Sequence, residues 1–153
     1  MSGAVKNTNE GASLPMRASA DFRFAIPSTP AALAGAVRMV RSTMEWMAFE
    51  EDWVFRAELC FHEALINAHF HGNAADPGRE IRVGCSLAPG KVEMEIEDDG
   101  QGYKNPPGLC VPLASDPHGR GLYLIRQFMS YVAIHGNGTR IVMALSKECN
   151  YGN

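Results

Sequence analysis

The sequence predicts an α/β (α+β) two-layer sandwich, a mixed, mainly antiparallel sheet covered on one face by helices. Three observations predict it. Residues 80–97 alternate apolar and polar on both sides of Pro89-Gly90, the pattern of a hairpin. Two stretches, from Pro30 to about Met47 and from Asp52 to about His71, carry apolar residues three and four apart, as amphipathic helices do. A second alternating pair, Tyr131-Val132-Ala133-Ile134 and Thr139 to Leu145, surrounds the turn residues His135-Gly136-Asn137-Gly138.

In chain order, residues 1–19 are rich in Gly, Ser, Asn and Ala without periodicity and read as a disordered tail. A single domain is expected over 20–147, with 148–153 as a frayed C-terminus. Ala20 to Ile26 alternates, with Phe22, Phe24 and Ile26 on one side, as a strand. Thr29 is placed to cap the first helix, and Pro30 suits its first position because the missing N–H would be unpaired there anyway. Leu33, Val37, Val40, Met44 and Met47 form its apolar stripe, while Arg38 and Arg41 lie off it and read as a solvated face. Asp52 is the expected cap of the second helix, which Gly72 ends. Asn73 to Gly78 is a loop. Ile81, Val83, Cys85 and Leu87 then face one way, as do Val92, Met94 and Ile96 on the return strand. Tyr103 to His118, with four prolines and no period, reads as a long loop of the kind that closes over a ligand. From Leu122 to Met129 a third helix is expected, with Leu122, Ile125 and Phe128 or Met129 buried.

Composition narrows the function classes. A chain of 153 residues, nearly half hydrophobic, suits one domain with a sizeable core. Its net charge of −3 supplies no broad basic field, so direct nucleic-acid binding is not expected. No apolar run is long enough to span a bilayer, and no signal-peptide core is read at the N-terminus. Cys60, Cys85, Cys110 and Cys149 are scattered without a C-x-x-C, as expected for free thiols in the cytoplasm. His62 and His69 stand two turns apart, on the order of 10 Å, too far to share a metal.

Polar groups in apolar settings mark the candidate site. Glu63 and Asn67, four apart, stack on one face of the second helix, with Leu59, Ile66 and Phe70 on or beside it. A carboxylate and an amide so placed must be hydrogen-bonded, ligand-bound or costly. Asp98 continues the series Val92, Met94, Ile96 and so points inward, followed by Asp99-Gly100-Gln101-Gly102. A carboxylate at the inner end of a strand, followed by two glycines, suits a pocket where backbone approaches a ligand. The same letters also fit an ordinary Asp-Gly turn. Gly119-Arg120-Gly121 leads straight into a helix whose free N–H groups and positive dipole end favour phosphate, though no Walker A motif follows.

Taken in order, these boxes resemble the GHKL ATPase superfamily, which includes the ATP-binding domains of gyrase, a heat-shock chaperone, histidine kinases and a mismatch-repair protein. Within it the chain is most similar to the anti-sigma-factor serine/threonine kinases of partner-switching pathways. Their pattern E-A-x-x-N-A-x-x-H-G stands here as Glu63 to Gly72, their second box as Asp98-Asp99-Gly100-Gln101-Gly102, and their third as Gly119-Arg120-Gly121-Leu122. The resemblance spans about residues 20–147. It implies a Bergerat ATP-binding fold with ATP and Mg2+ as cofactors. It implies that Asp98 accepts from the adenine amino group, with Gly100 and Gly102 letting backbone approach the base. Asn67 then holds Mg2+, Glu63 takes the proton of an attacking hydroxyl or water, and Gly119, Arg120, Gly121 and Leu122 hold the phosphates. His71 would pack at the pocket rim, or serve only as a capping or core residue. The implied partners are an anti-sigma-factor antagonist of the STAS-domain type and a sigma factor, and pairing of two copies as a homodimer stays open. A histidine kinase is a poorer reading, since only a short tail precedes the first strand. The alternative from another class is a non-catalytic, nucleotide-gated protein-binding module.

Overall fold

In the computed structural model, which describes residues 19–102 and 120–147, the alternating segments become five strands. They are β1 (Ala20–Pro27), β2 (Glu80–Ala88), β3 (Lys91–Asp98), β4 (Tyr131–His135) and β5 (Arg140–Ser146). The helices are α1 (Pro30–Trp46), α2 (Glu51–Asn67) and α3 (Arg120–Phe128). The strands form one sheet in the order β1-β2-β3-β5-β4, and each pairing of neighbours is antiparallel. β5 is inserted between β3 and β4, so β3 and β4 run the same way without touching. The C-terminal end of β3, carrying Asp98, therefore lies at the same edge as the β4–β5 turn.

Register follows the apolar parity. Ile26 faces Ile81, Val83 faces Ile96, and Ile96 faces Ile141 across the ladders. Along β2 and β3 the residues Ile81, Val83, Cys85, Leu87, Val92, Met94, Ile96 and Asp98 are buried, and the intervening charged residues are not. A one-residue slip would turn that whole set to water, so the register is strongly specified.

α1 starts as its letters predict. The Thr29 side-chain oxygen accepts the Ala32 N–H at 3.3 Å, with Pro30 in the first turn. Leu33, Ala36, Val40 and Met44 are its buried stripe. α2 begins two residues earlier than expected, at Glu51 with Glu50 as its cap, so Glu51 and Asp52 sit in its first turn. Both acids still face the positive end of the helix dipole. Phe61, Leu65 and Ala57 are wholly buried between α1 and the sheet. Removing a side chain such as Phe61 from water contributes about 1.5–3 kcal/mol.

The end of α2 departs from the expected helix. Ala68–Gly72 is a π-helical turn, closed by the Asn73 N–H donating to Ala68 O at 2.7 Å. The extra residue in that turn rotates the chain. Phe70, expected beside the apolar stripe, is 55% exposed, while His69 is buried and shares a 2.8 Å hydrogen bond with the Ser28 hydroxyl. α3 buries Ile125 and is followed by buried Met129, while Leu122 and Phe128 are half-buried. Its C-terminal carbonyl, at Phe128, accepts from the Arg56 guanidinium, with Nε at 3.1 Å, which ties α3 to α2. Among the described residues no helix is long and apolar enough to cross a membrane.

Candidate functional site

A cavity open to solvent lies between the end of α2, the end of β3, the start of α3 and the β4–β5 turn. Asn67, His71, Asp98, Gly102 and Leu122, all singled out by the sequence, line it. Ile96, Ile134 and Ile141 supply apolar walls, which suits a flat ring. Gly119 and the Tyr103–His118 loop lie outside the described residues.

Asp98 is the polar group deepest in this apolar setting, buried as its strand parity requires. Its N–H donates to Thr139 O at 2.9 Å, and its Oδ1 accepts the Gly100 N–H at 2.8 Å. Burial pushes its carboxyl above the ordinary aspartate value, partly offset by the Gly100 bond. A surface Asp-Gly turn would show neither the burial nor the shift.

Glycines form the wall around that carboxylate. A side chain at Gly72 would collide with the Asp98 carboxylate, and one at Gly100 would collide with the Gly72 carbonyl. Gly102 has φ +76, and a side chain there would strike the Asn137 carbonyl. Gly72 thus has a closer role than the helix-ending one expected of it. Thr139, Gly138, Ile134 and Ile141 were not singled out as site residues. The alternation of β4 and β5 carried that signal, because it places Ile134 and Ile141 opposite one another at the pocket end of the ladder.

Glu63 stands apart from the cavity lining and at its α3 side. A side chain at Gly121 would lie 2.7 Å from Glu63 Oε2 and 3.4 Å from Asn67 Nδ2. The first turn of α3 therefore abuts the Glu63–Asn67 pair, with only a glycine small enough to stand between. The Glu63 carboxylate and the Asn67 amide thus meet the first described turn of α3, and Asn67 and Leu122 carry that meeting point to the cavity.

The model of the histidine kinase-like ATPase domain matches residues 26–145. Among curated proteins the chain is similar to the anti-sigma F factor of Clostridium perfringens, 28% identical over 89 residues, covering 53% of this chain and 64% of that protein. It is also similar to the anti-sigma F factor of Oceanobacillus iheyensis, 31% identical over 96 residues, covering 56% of this chain and 66% of that protein. The matches thus span just under two thirds of these relatives. Among solved structures it resembles the RsbU and RsbW domains of a Mycobacterium tuberculosis protein, with a TM-score of 0.59 and 18% identity, over 83% of this chain and 32% of that one. At that identity the likeness bears on the fold alone.

Proposed function

The chain belongs to the histidine kinase-like ATPase family, and from that premise we propose that it is an ATP-dependent protein serine/threonine kinase of a cytoplasmic partner-switching pathway. The observation that carries the reading is the meeting of Glu63, Asn67 and the glycine turn of α3 at the mouth of the Asp98 cavity.

The residues fit ATP. A flat purine matches the apolar walls beside the buried Asp98 carboxylate. The ionised Asp98 carboxylate accepts from the adenine amino group, which guanine cannot offer at the same position. Arg120, Gly121 and Leu122, at the start of α3, are assigned to the phosphates together with Gly119, which lies outside the described residues. His71, on the lining, closes the rim. Asn67 presents a neutral amide oxygen, a hard ligand for Mg2+ alongside phosphate oxygens. Bound there, Mg2+ offsets the phosphate charge. Glu63, one turn from Asn67, accepts the proton of the attacking hydroxyl, a role that needs it within hydrogen-bond reach of the phosphate end. As in other phosphoryl transfer, the rest of the work is positioning and charge stabilisation.

The likeness to proteins named anti-sigma F factor supports a STAS-type anti-sigma-factor antagonist as the phosphorylated partner, with a sigma factor as the protein sequestered. The test incubates the chain and candidate STAS-domain proteins with radiolabelled ATP. Label transfer is expected, and Glu63→Gln should slow it by about 10²–10⁴, the usual range for losing a general base. Transfer at the wild-type rate by Glu63→Gln contradicts the role of Glu63. ATP-dependent pull-down without label transfer points instead to a nucleotide-gated binding module.

A further inference from the structure

Asn73 follows the π-helical turn and is wholly buried, yet it lines no part of the cavity. Both ends of its amide are engaged. Nδ2 donates to Glu80 O at 2.9 Å, at the start of β2. Oδ1 accepts the Asp99 N–H at 2.9 Å, just past the end of β3. One side chain therefore bonds to both members of the β2–β3 ladder where it ends, beyond the Ile81–Asp98 pair. Its own N–H closes the turn onto Ala68. The helix-side wall of the cavity (Asn67, His71, Gly72) is tied in this way to the strand-side wall (Ile96, Asp98).

The clamp acts on the peptide that follows Asp98. Asp99 is also held through its carboxylate, which accepts the Glu80 N–H at 3.0 Å and the Arg82 guanidinium at 2.7 Å. Those two bonds are exposed, and such contacts add little to rigidity. The Asn73 amide is different, because the side chain is itself wholly buried and losing it takes the partner from the Asp99 N–H and the Glu80 carbonyl at once. The tolerance at that point is small. Gly72 and the Asp98 carboxylate are packed with no room for a methyl group, and so are Gly100 and the Gly72 carbonyl.

We propose that Asn73 is a positioning residue for base recognition: by clamping Asp99 N–H and Glu80 C=O to the end of α2, it fixes the Asp98 carboxylate against the purine edge. The proposal rests on the assignment of Asp98 to the adenine. Asn73 touches no ligand and acts only through Asp98. Its loss should therefore affect the choice of base and spare the grip on phosphate.

The test is calorimetric titration of the full chain with Mg-ATP, Mg-GTP and magnesium tripolyphosphate, for wild type, Asp98→Asn and Asn73→Ala, each below its melting temperature. For Asn73→Ala the preference for ATP over GTP should fall about tenfold, the effect of loosening roughly one hydrogen bond's worth of discrimination. Tripolyphosphate affinity should stay at the wild-type value. A lower melting temperature with an unchanged ATP-to-GTP preference would overturn the proposal, leaving Asn73 a purely structural residue. Equal preference in wild type and Asp98→Asn would overturn the base assignment itself, and the Asn73 proposal with it. Wild type supplies a second measurement that needs no variant to fold. Its Asp99 amide hydrogen should exchange slowly by NMR, and exchange as fast as an unprotected loop amide would mean that the clamp is absent.

Discussion

Gly72 stands so close over Asp98 that a methyl group at position 72 would fall on the carboxylate. The contact joins the end of a helical segment to the end of a strand. Both residues line the cavity. Gly72→Ala must move one wall. We expect a loss of about 1–3 kcal/mol, the usual cost of overpacking, together with weakened Mg-ATP binding. Gly35, in the middle of α1, has only the Arg38 guanidinium near its would-be side chain, at 3.9 Å. Gly35→Ala should raise stability by about 0.5–1 kcal/mol and leave binding unchanged. Denaturant melts of the two variants check the contrast.

The pH response of Asp98 has a defined sign. Burial raises its carboxyl above the ordinary 3.8. Below 3.8 the group is protonated folded or unfolded. Between 3.8 and the higher folded value the folded state holds more proton, so the contribution of Asp98 to stability falls as pH rises through that window. It is lowest at neutral pH, where the buried group is charged. Asp98→Asn, which keeps an acceptor for the Gly100 N–H, should therefore melt at a higher temperature than wild type at pH 7. Mg-ATP affinity should run the other way, weakening as pH is lowered toward the raised value, because the ionised carboxylate is the stronger acceptor for the amino group. Melts and titrations from pH 7 down to the acid range read both slopes.

Cys60 and Cys85 are buried free thiols, pushed up by burial to about 11 and about 12. Thiolate is the reactive form, so both should stay unlabelled by iodoacetamide at pH 7–8 in the native chain. After unfolding both should label. Peptide mapping of the two samples checks this. Ready labelling of the Cys85 peptide in native protein would mean that the centre of the sheet opens.

Much of the site was legible because it depends on parity and spacing. The alternation of Val92, Met94 and Ile96 is enough to send Asp98 inward, and Glu63 and Asn67 share a face because they are four apart. Thr29 and Pro30 announced the start of α1 through the bonds available at any helix N-terminus. Less was legible where one long-range contact decides the matter. Nothing in Ala68 to Gly72 announces a π-helical turn, and an α-helical count puts Phe70 where His69 actually packs. Ser28, forty-one residues away in sequence, takes up the His69 ring nitrogen and stabilises that choice. Asn73 looked like the first residue of a loop, since its partners at Glu80 and Asp99 become neighbours only after the sheet forms. The insertion of β5 between β3 and β4, which brings Thr139 and Ile141 to the cavity, also lies beyond local pattern.

The most direct measurement is calorimetric titration of Mg-ATP into wild type, Glu63→Gln and Asp98→Asn. Wild type and Glu63→Gln should bind with the same affinity, because the glutamate is assigned to proton transfer and lies off the cavity lining. Asp98→Asn should lose binding. No binding by folded wild type, or wild-type affinity in Asp98→Asn, would contradict the assignment of this cavity to ATP.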